Sequence, residues 1–409
     1  MLRYDLLFPH RLMIRDSTRT KAFRDAIAKV VRTGDAVLDV GAGTGILSMF
    51  AAHAGARVVY AVEQTQIAAL AAELAAKNDL SNTIKVIQAD AADAVLPEKV
   101  DVLVSEWLGS IGVDENLLWP VLCARDRWLK PGGAIIPWRV STWLAPACLA
   151  SSPDANFFQE KPYGLDLSLL AEASIHEQLC SSHRVTAAEL MGNPLSLWQH
   201  DLRKMTAGEA LLPSRGATQF EFSSPAGVNA LAAWFVAELA DGQRLENSPS
   251  QPATHWGQLV LPLDRTLEMN RGDRLEVNLV CLPKVAGQSD LAWSVRRNEG
   301  RWEHHDTRVV ASGSLPRDPN GAIYEVQQHF RNPPTLAQAR SGAAIPSDSN
   351  KPASALTRFL ARLAADPALF GEFLQNPAAL SEKLGLPLAD QQALCSRTPQ
   401  VIEARMMGI

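Results

Sequence analysis

The sequence predicts an α/β chain. A doubly wound parallel-sheet domain is followed by an antiparallel β-barrel domain with a helical arm, and then by a small helical domain at the C-terminus. Three observations predict it. Up to residue 138, short β-branched runs alternate with helical patterns, which is the signature of strand–helix–strand units. Beyond it, short alternating runs are separated by Gly, Pro, Asn and Asp, the texture of an antiparallel sheet. After a stretch rich in Pro, Ser, Ala and Asn, helical periodicity returns.

Taken in order, residues 21–33 read as an amphipathic helix ended by Gly34. The runs at 36–40, 57–63, 83–90 and 99–106 read as buried parallel strands, with helices at 46–55 and 66–78 between them. Residues 114–130 read as a helix that stops at Pro131-Gly132-Gly133. The β domain spans 139–330, with strand signals such as STWLAPA, LAAWFVAEL and RLEVNLVCL. Within it, roughly 164–210 is polar and helical in pattern, which predicts an insertion rather than another strand. Residues 331–355 have linker composition, and 356–409 form a helical extension.

Composition excludes several function classes. Lys and Arg total 39 against 44 Asp and Glu, a net charge of −5, which argues against nucleic-acid binding through bulk charge. The five cysteines (Cys123, Cys148, Cys180, Cys281 and Cys395) form no CxxC pair. No thiolate zinc site or disulfide framework is therefore expected, and a reducing, cytoplasmic setting is. The N-terminus lacks a signal-peptide core, and no run of about 18 apolar residues predicts a membrane span. No resident metal is expected.

Asp39-Val-Gly41-Ala-Gly43-Thr-Gly45 follows a strand and opens a helix, where glycines permit a tight turn and close approach of a ligand. Glu63 ends the next strand, where a carboxylate can accept both hydroxyls of a ribose. The run VLDVGAGTG resembles the S-adenosylmethionine loop of class I methyltransferases, whose domain is Rossmann-like. The resemblance implies that Gly41, Gly43 and Gly45 touch the methionine moiety, with Asp39 beside them. It places Glu63 on the ribose and Asp90, at the end of the third strand, near the adenine.

The fourth strand ends in Ser105-Glu106-Trp107-Leu108-Gly109, and Glu115 lies nine residues after Glu106. Two carboxylates at the carboxyl end of a parallel strand could clamp a guanidinium, whose rigid fork matches paired oxygens. Held so, one terminal nitrogen keeps the electron density needed to attack a sulfonium methyl, with catalysis by positioning and electrostatics. The segment SEWLGSIGVDENLLWPVLCARDRWLKPGG resembles the double-glutamate hairpin of protein arginine methyltransferases, including the run after it.

Further pieces carry the resemblance. His10-Arg-Leu-Met13-Ile-Arg-Asp16-Ser-Thr-Arg19 is similar to the family's N-terminal helix over the cofactor. By position it implies Arg19 on the cofactor carboxylate, Met13 near the reacting methyl, and Asp16 against a histidine. That histidine is His255 in Thr254-His255-Trp256, which matches the family's THW loop. Trp107, Trp256, Tyr4 and Leu117 would border the substrate. Pro162–Ser168 resembles the start of the family's dimerisation arm, about 158–205, and implies a homodimer.

The chain also departs from the family. Only the second of two N-terminal tyrosines is matched, by Tyr4. Leu117 stands where dimethylating members often carry Met, and Gly112 and Val113 replace bulkier residues, which predicts a roomier pocket. The expected acceptor is arginine in a protein or peptide. Alternatives are free arginine or another small guanidine, and a non-catalytic scaffold. A nucleic-acid amino-methyltransferase is disfavoured, because Ser-Glu-Trp-Leu stands where an Asn/Asp-Pro-Pro-aromatic motif would be required. The extension resembles the helical domain of an extradiol-dioxygenase small subunit and of peptide leaders. It is expected to recruit a peptide, to be a self-substrate through Arg397 or Arg405, or to serve only as a structural appendage.

Overall fold

A computed structural model describes residues 4–149, 157–158, 160–177, 179–180, 184–284, 288–308, 380 and 383–386. The chain divides into two compact units, Met1–Ile323 and Tyr324–Ile409. In the second, the Leu384 N–H donates to the Leu380 carbonyl, and Gly385 follows with φ +72°, a helical turn ended by a left-handed glycine. The expected linker at 331–355, and the helical extension apart from these few residues, lie outside the described residues.

The first unit begins with two helices, α1 (Leu7–Arg15) and α2 (Ser17–Val30). Asp16 separates them in an extended conformation, and its side chain accepts the Arg19 N–H as the N-cap of α2. The expected helix at 21–33 therefore starts earlier, and it buries Phe23, Ala26 and Ile27 at helical spacing. Next come β1 (Ala36–Val40), α3 (Ile46–His53), β2 (Val58–Glu63), α4 (Ile67–Lys77), β3 (Ile84–Gln88), β4 (Val100–Val104), α5 (Leu118–Trp128) and β5 (Leu129–Ile136). The five strands lie parallel in the order β3-β2-β1-β4-β5. Every residue of β1 and β2 is buried, which is why these strands read as unbroken apolar runs. The order reverses between β1 and β4, and a ligand crevice opens at the carboxyl ends of the strands there. Contrary to the sequence reading, Pro131-Gly132-Gly133 lie inside β5 rather than before it. β5 ends the sheet order, where a proline removes no ladder bond.

The chain then forms β6 (Arg139–Ala147), α6 (Ser168–Ser174), β7 (Leu179–Cys180), β8 (Leu195–Asp201), β9 (Ser214–Glu221), β10 (Ala226–Ala240) and β11 (Gln243–Glu246). It continues with β12 (Leu259–Met269), β13 (Arg274–Leu282), β14 (Asp290–Arg297) and β15 (Glu303–Asp306). These strands pair antiparallel in two sheets: β7-β12-β10-β6-β8 with β11 on β10, and β15-β14-β13-β9. Leu144, Leu231 and Leu259 from the first share one core with Phe220, Leu279 and Trp293 from the second. The domain is barrel-like, but hydrogen bonding does not close a ring among the described strands. The expectation that 164–210 holds no sheet strand is corrected by β8, which pairs with β6. Leu195, Leu197 and Trp198 pack onto the core across a register shift in the β6–β8 pairing, which hides the strand's period in a polar run. Among the described residues no helix is long and apolar enough to cross a membrane.

Candidate active site

The loop after β1 takes its shape from three glycines in the left-handed region: Gly41 at φ +70°, Gly43 at +55° and Gly45 at +79°. Gly41 and Ala42 both donate to the Val62 carbonyl, at 2.9 and 3.0 Å, so the loop folds back over β2. This brings the Gly43 N–H within 2.9 Å of Glu63 Oε2, while the Thr65 N–H donates to Oε1 at 2.8 Å. The two bonds fix the carboxylate with further lone pairs available. A Cβ on Gly43 would lie 2.9 Å from the His10 ring. Asp39 is fully buried and accepts the Ser48 hydroxyl at 2.6 Å. Burial pushes its carboxyl up to about 6 against that bond.

Glu106 and Glu115 begin and end a hairpin whose tip is closed by reciprocal bonds between Gly109 and Gly112, both 3.1 Å. Asp114 fills the hairpin, accepting the Ile111 and Ser110 N–H groups at 3.0 and 3.1 Å. A Cβ on Gly109 would stand 2.3 Å from its Oδ1, so glycine is required there. The antiparallel domain holds the hairpin from outside. Thr142 donates to the Ile111 carbonyl at 2.7 Å, Asn247 to that of Ser110 at 2.8 Å and Trp256 to that of Leu108 at 2.7 Å.

Glu106 accepts the Leu108 N–H through Oε1, and its Oε2 accepts Arg19 Nε at 2.9 Å and Nη2 at 2.7 Å. Glu115 Oε2 accepts the Tyr4 hydroxyl at 2.6 Å. Burial pushes Glu115 up to about 8, with Asp114 and Glu106 adding to it and Tyr4 opposing. Burial and the Glu115 charge raise Tyr4 in turn. Asp16 Oδ2 accepts both the backbone N–H and ring Nδ1 of His255, each at 2.8 Å. Burial pulls Asp16 upward, yet the His255 bonds and the Arg19 N–H outweigh it and hold the carboxyl below its usual value.

These parts surround one cavity at the switch point, about 1130 Å³ of empty space with its open mouth included. Of the residues singled out in the sequence, Tyr4, Met13, Arg19, Gly41, Gly43, Glu63, Asp90, Glu106, Trp107, Glu115, Leu117, His255 and Trp256 line it. Asp16, Asp39 and Gly45 stand behind the wall and support it through His255, Ser48 and the start of α3. Gly112 and Val113 do not line it, so they do not enlarge it. The space beside Gly112 belongs to Val140 and Phe235. Arg19, expected on a cofactor carboxylate, pairs here with Glu106 and keeps Nη1 as a buried donor without a protein partner. A carboxylate-bearing cofactor fits that donor, and a diol fits the fixed Glu63. His10, Asp114 and Asn247 were given no role from sequence. Asp114 lay legibly between the two glutamates, whereas nothing in the run around Asn247 signals its bonds.

Residues 149–297 match the family model of the arginine methyltransferase oligomerization subdomain, and 18–133 match that of ribosomal protein L11 methyltransferase. The chain is 35% identical to protein arginine N-methyltransferase 6 of Danio rerio over 307 residues, 72% of this chain and 88% of the relative. It is also 35% identical to protein arginine N-methyltransferase PRMT10 of Oryza sativa subsp. japonica over 306 residues, 67% of this chain and 80% of the relative. Among solved structures, it resembles the Trypanosoma brucei PRMT1 enzyme-prozyme heterotetrameric complex with AdoHcy. The TM-score is 0.65 at 31% identity, covering 74% of this chain and 98% of that one. Arabidopsis thaliana protein arginine methyltransferase 10 gives 0.64 at 28% identity, covering 74% and 99%.

Proposed function

The chain belongs to the protein arginine N-methyltransferase family, and from that premise we propose that Glu106 and Glu115 hold the acceptor guanidinium. The protein is an S-adenosylmethionine-dependent enzyme that methylates arginine in a protein. Gly41, Gly43, Glu63, Asp90 and Arg19 hold the cofactor, which supplies a methyl group made electrophilic by its sulfonium. The observation that carries the assignment is the pair of buried carboxylates facing one cavity with the glycine loop and Glu63.

With Oε2 bound to Tyr4, Glu115 offers Oε1 to the guanidinium. Glu106 would offer Oε2 if Arg19 turned its donors to the bound cofactor. Two donor–acceptor pairs fix the guanidinium plane and leave one terminal nitrogen free to attack in line. A nitrogen that takes the methyl group the bound cofactor would supply must shed a proton. Glu115, left ionised by the arriving guanidinium, is the acceptor. His255, fixed by Asp16, positions Trp256 and through it the hairpin.

A second copy of the chain is the expected partner. Tyr163, Leu165, Leu169 and Leu170 are exposed on the arm, as a homodimer contact requires. The extension at 356–409 has three candidate roles: it recruits a peptide, is itself methylated, or is only a structural appendage. Intact mass after incubation with cofactor tests the second version, which an unchanged mass excludes.

The test of the assignment is methyl transfer from labelled cofactor to arginine peptides, free arginine and cell lysate. Glu106→Gln and Glu115→Gln should abolish transfer while cofactor binding survives. If both variants kept normal rates, the roles of the two glutamates would be wrong. A preference for free arginine over peptides would move the acceptor to small guanidines.

A further inference from the structure

Outside that cavity, a second cluster stands on the antiparallel domain. Asp264 of β12 and Glu303 and His305 of β15 bring one nitrogen and two carboxylate oxygens within 4.8 Å of one another. His305 is 1% exposed and stacks on Trp293, ring centroids 5.0 Å apart and planes 8° from parallel. Its Nδ1 lies 3.1 Å from the Ile175 carbonyl, which can only accept, so Nδ1 carries the proton. A neutral imidazole then presents a lone pair at Nε2. That nitrogen is buried and has no hydrogen-bond partner, with Asp264 Oδ1 standing 3.6 Å away. Glu303 Oε2 is likewise buried and unpartnered. Arg265 reaches only the other oxygen of Glu303, at 3.4 Å.

Three electron-pair donors therefore converge, and His305 Nε2 and Glu303 Oε2 among them are buried without a hydrogen-bond partner, an arrangement that costs free energy unless a cation completes it. The carbonyl that fixes the tautomer is the kind of support that metal-bound histidines use.

We propose that Asp264, Glu303 and His305 bind one divalent transition-metal ion, of which zinc is the best fit. One imidazole and two carboxylates match zinc's borderline donor preference. The Asp264 side chain is 48% exposed, so the ion enters from solvent and keeps water in its remaining position. The scattered cysteines excluded a thiolate site and do not bear on this one. Ile175 directly follows α6, so the ion would tie the end of that helix, within the arm, to β12 and β15 through His305. The site is structural and separate from methyl transfer.

The test uses full-length, tag-free protein, stripped with chelator and titrated with ZnCl2 by calorimetry, then with CoCl2 by absorption. One equivalent should bind. Asp264→Asn and the double variant Asp264→Asn/Glu303→Gln should weaken binding at least tenfold while cofactor affinity is unchanged, which shows that they fold. The cobalt form of the unaltered protein should show visible bands without the near-ultraviolet band of a thiolate ligand. Equal zinc binding by the unaltered protein and the double variant would overturn the proposal. So would a thiolate band, or no binding by the unaltered protein.

Discussion

Arg19 and Glu106 form a buried ion pair across the cavity wall, Nη2 to Oε2 at 2.7 Å, with side chains only 5% and 6% exposed. The oxygen that Arg19 occupies is the one that the proposed mechanism gives to an acceptor guanidinium. Under that proposal, cofactor and acceptor are linked through one side chain. Removing one partner of a buried pair costs about 3–5 kcal/mol, because the other charge is left uncompensated. Arg19→Ala should therefore destabilise the cofactor-free protein by that order in urea unfolding and raise the cofactor Kd more than tenfold. Arg19→Lys keeps the charge but not the fork, and should fall between. A stability change for Arg19→Ala within about 1 kcal/mol would mean that the pair contributes little before the cofactor binds.

Glu115 predicts a pH dependence of definite sign. Its carboxyl is raised from 4.5 to about 8, so between those values the folded protein holds a proton that the unfolded chain has released. Stability of the acceptor-free protein must then fall as pH rises through that window. Glu115→Gln should remove this component, and the gap between variant and parent should widen from pH about 5 to about 8. An arriving guanidinium displaces the proton, so acceptor binding should release one. Calorimetry in buffers of different ionisation heat measures it, and the absence of any proton release would contradict the role given to Glu115.

The parallel half of the fold was legible because burial on both faces forces continuous apolar runs, and glycines mark the turn between them. The double-glutamate hairpin was legible through the resemblance of SEWLGSIGVDENLLWPVLCARDRWLKPGG to the family's segment, because two glutamates nine residues apart are not distinctive by themselves. What was not legible depends on long-range contacts. β8 hides in a polar stretch because its core contacts are only partly buried, made by Leu195, Leu197 and Trp198. The Gly112 position looked like a gap in the pocket, yet Val140 and Phe235, distant in sequence, fill the space beside it. Arg19 looked free for the cofactor because no local pattern shows that Glu106 lies within its reach.

Asp16 joins the N-terminal helices to the THW loop, and its two oxygens do different work. Oδ1 caps α2 through the Arg19 N–H, and Oδ2 holds His255. Asp16→Asn keeps a capping oxygen, whereas Asp16→Ala loses the cap as well, worth about 0.5–2 kcal/mol. Because the carboxyl lies below its usual 3.8, its charge stabilises the fold above that value and the contribution is lost as pH falls through the folded value. Both variants should flatten that acid limb and lose the charge's contribution at neutral pH, and Asp16→Ala should lose the cap's contribution besides. His255→Ala should lower kcat/KM by roughly tenfold to a hundredfold through misplacement of Trp256 and the hairpin. Its cofactor Kd should barely move, and a matching loss of cofactor affinity would place His255 in a different role.

Gly41 and Gly43 separate two demands that the loop makes on glycine. Both lie at positive φ, so alanine at either costs about 1–2 kcal/mol of backbone strain. A Cβ at Gly41 meets nothing within 4 Å, whereas one at Gly43 lies 2.9 Å from the His10 ring. His10 Nε2 in turn donates to the Tyr4 carbonyl at 2.8 Å, and the Tyr4 hydroxyl donates to Glu115. Pushing His10 aside should therefore disturb the acceptor end of the site from the cofactor end. Gly41→Ala should weaken cofactor binding and leave the KM for an arginine peptide near the parent value. Gly43→Ala should weaken cofactor binding and also raise that KM. The two constants, measured for both variants at saturating concentration of the other ligand, decide it. If both variants raise the peptide KM equally, the path from Gly43 through His10 and Tyr4 to Glu115 carries no functional coupling.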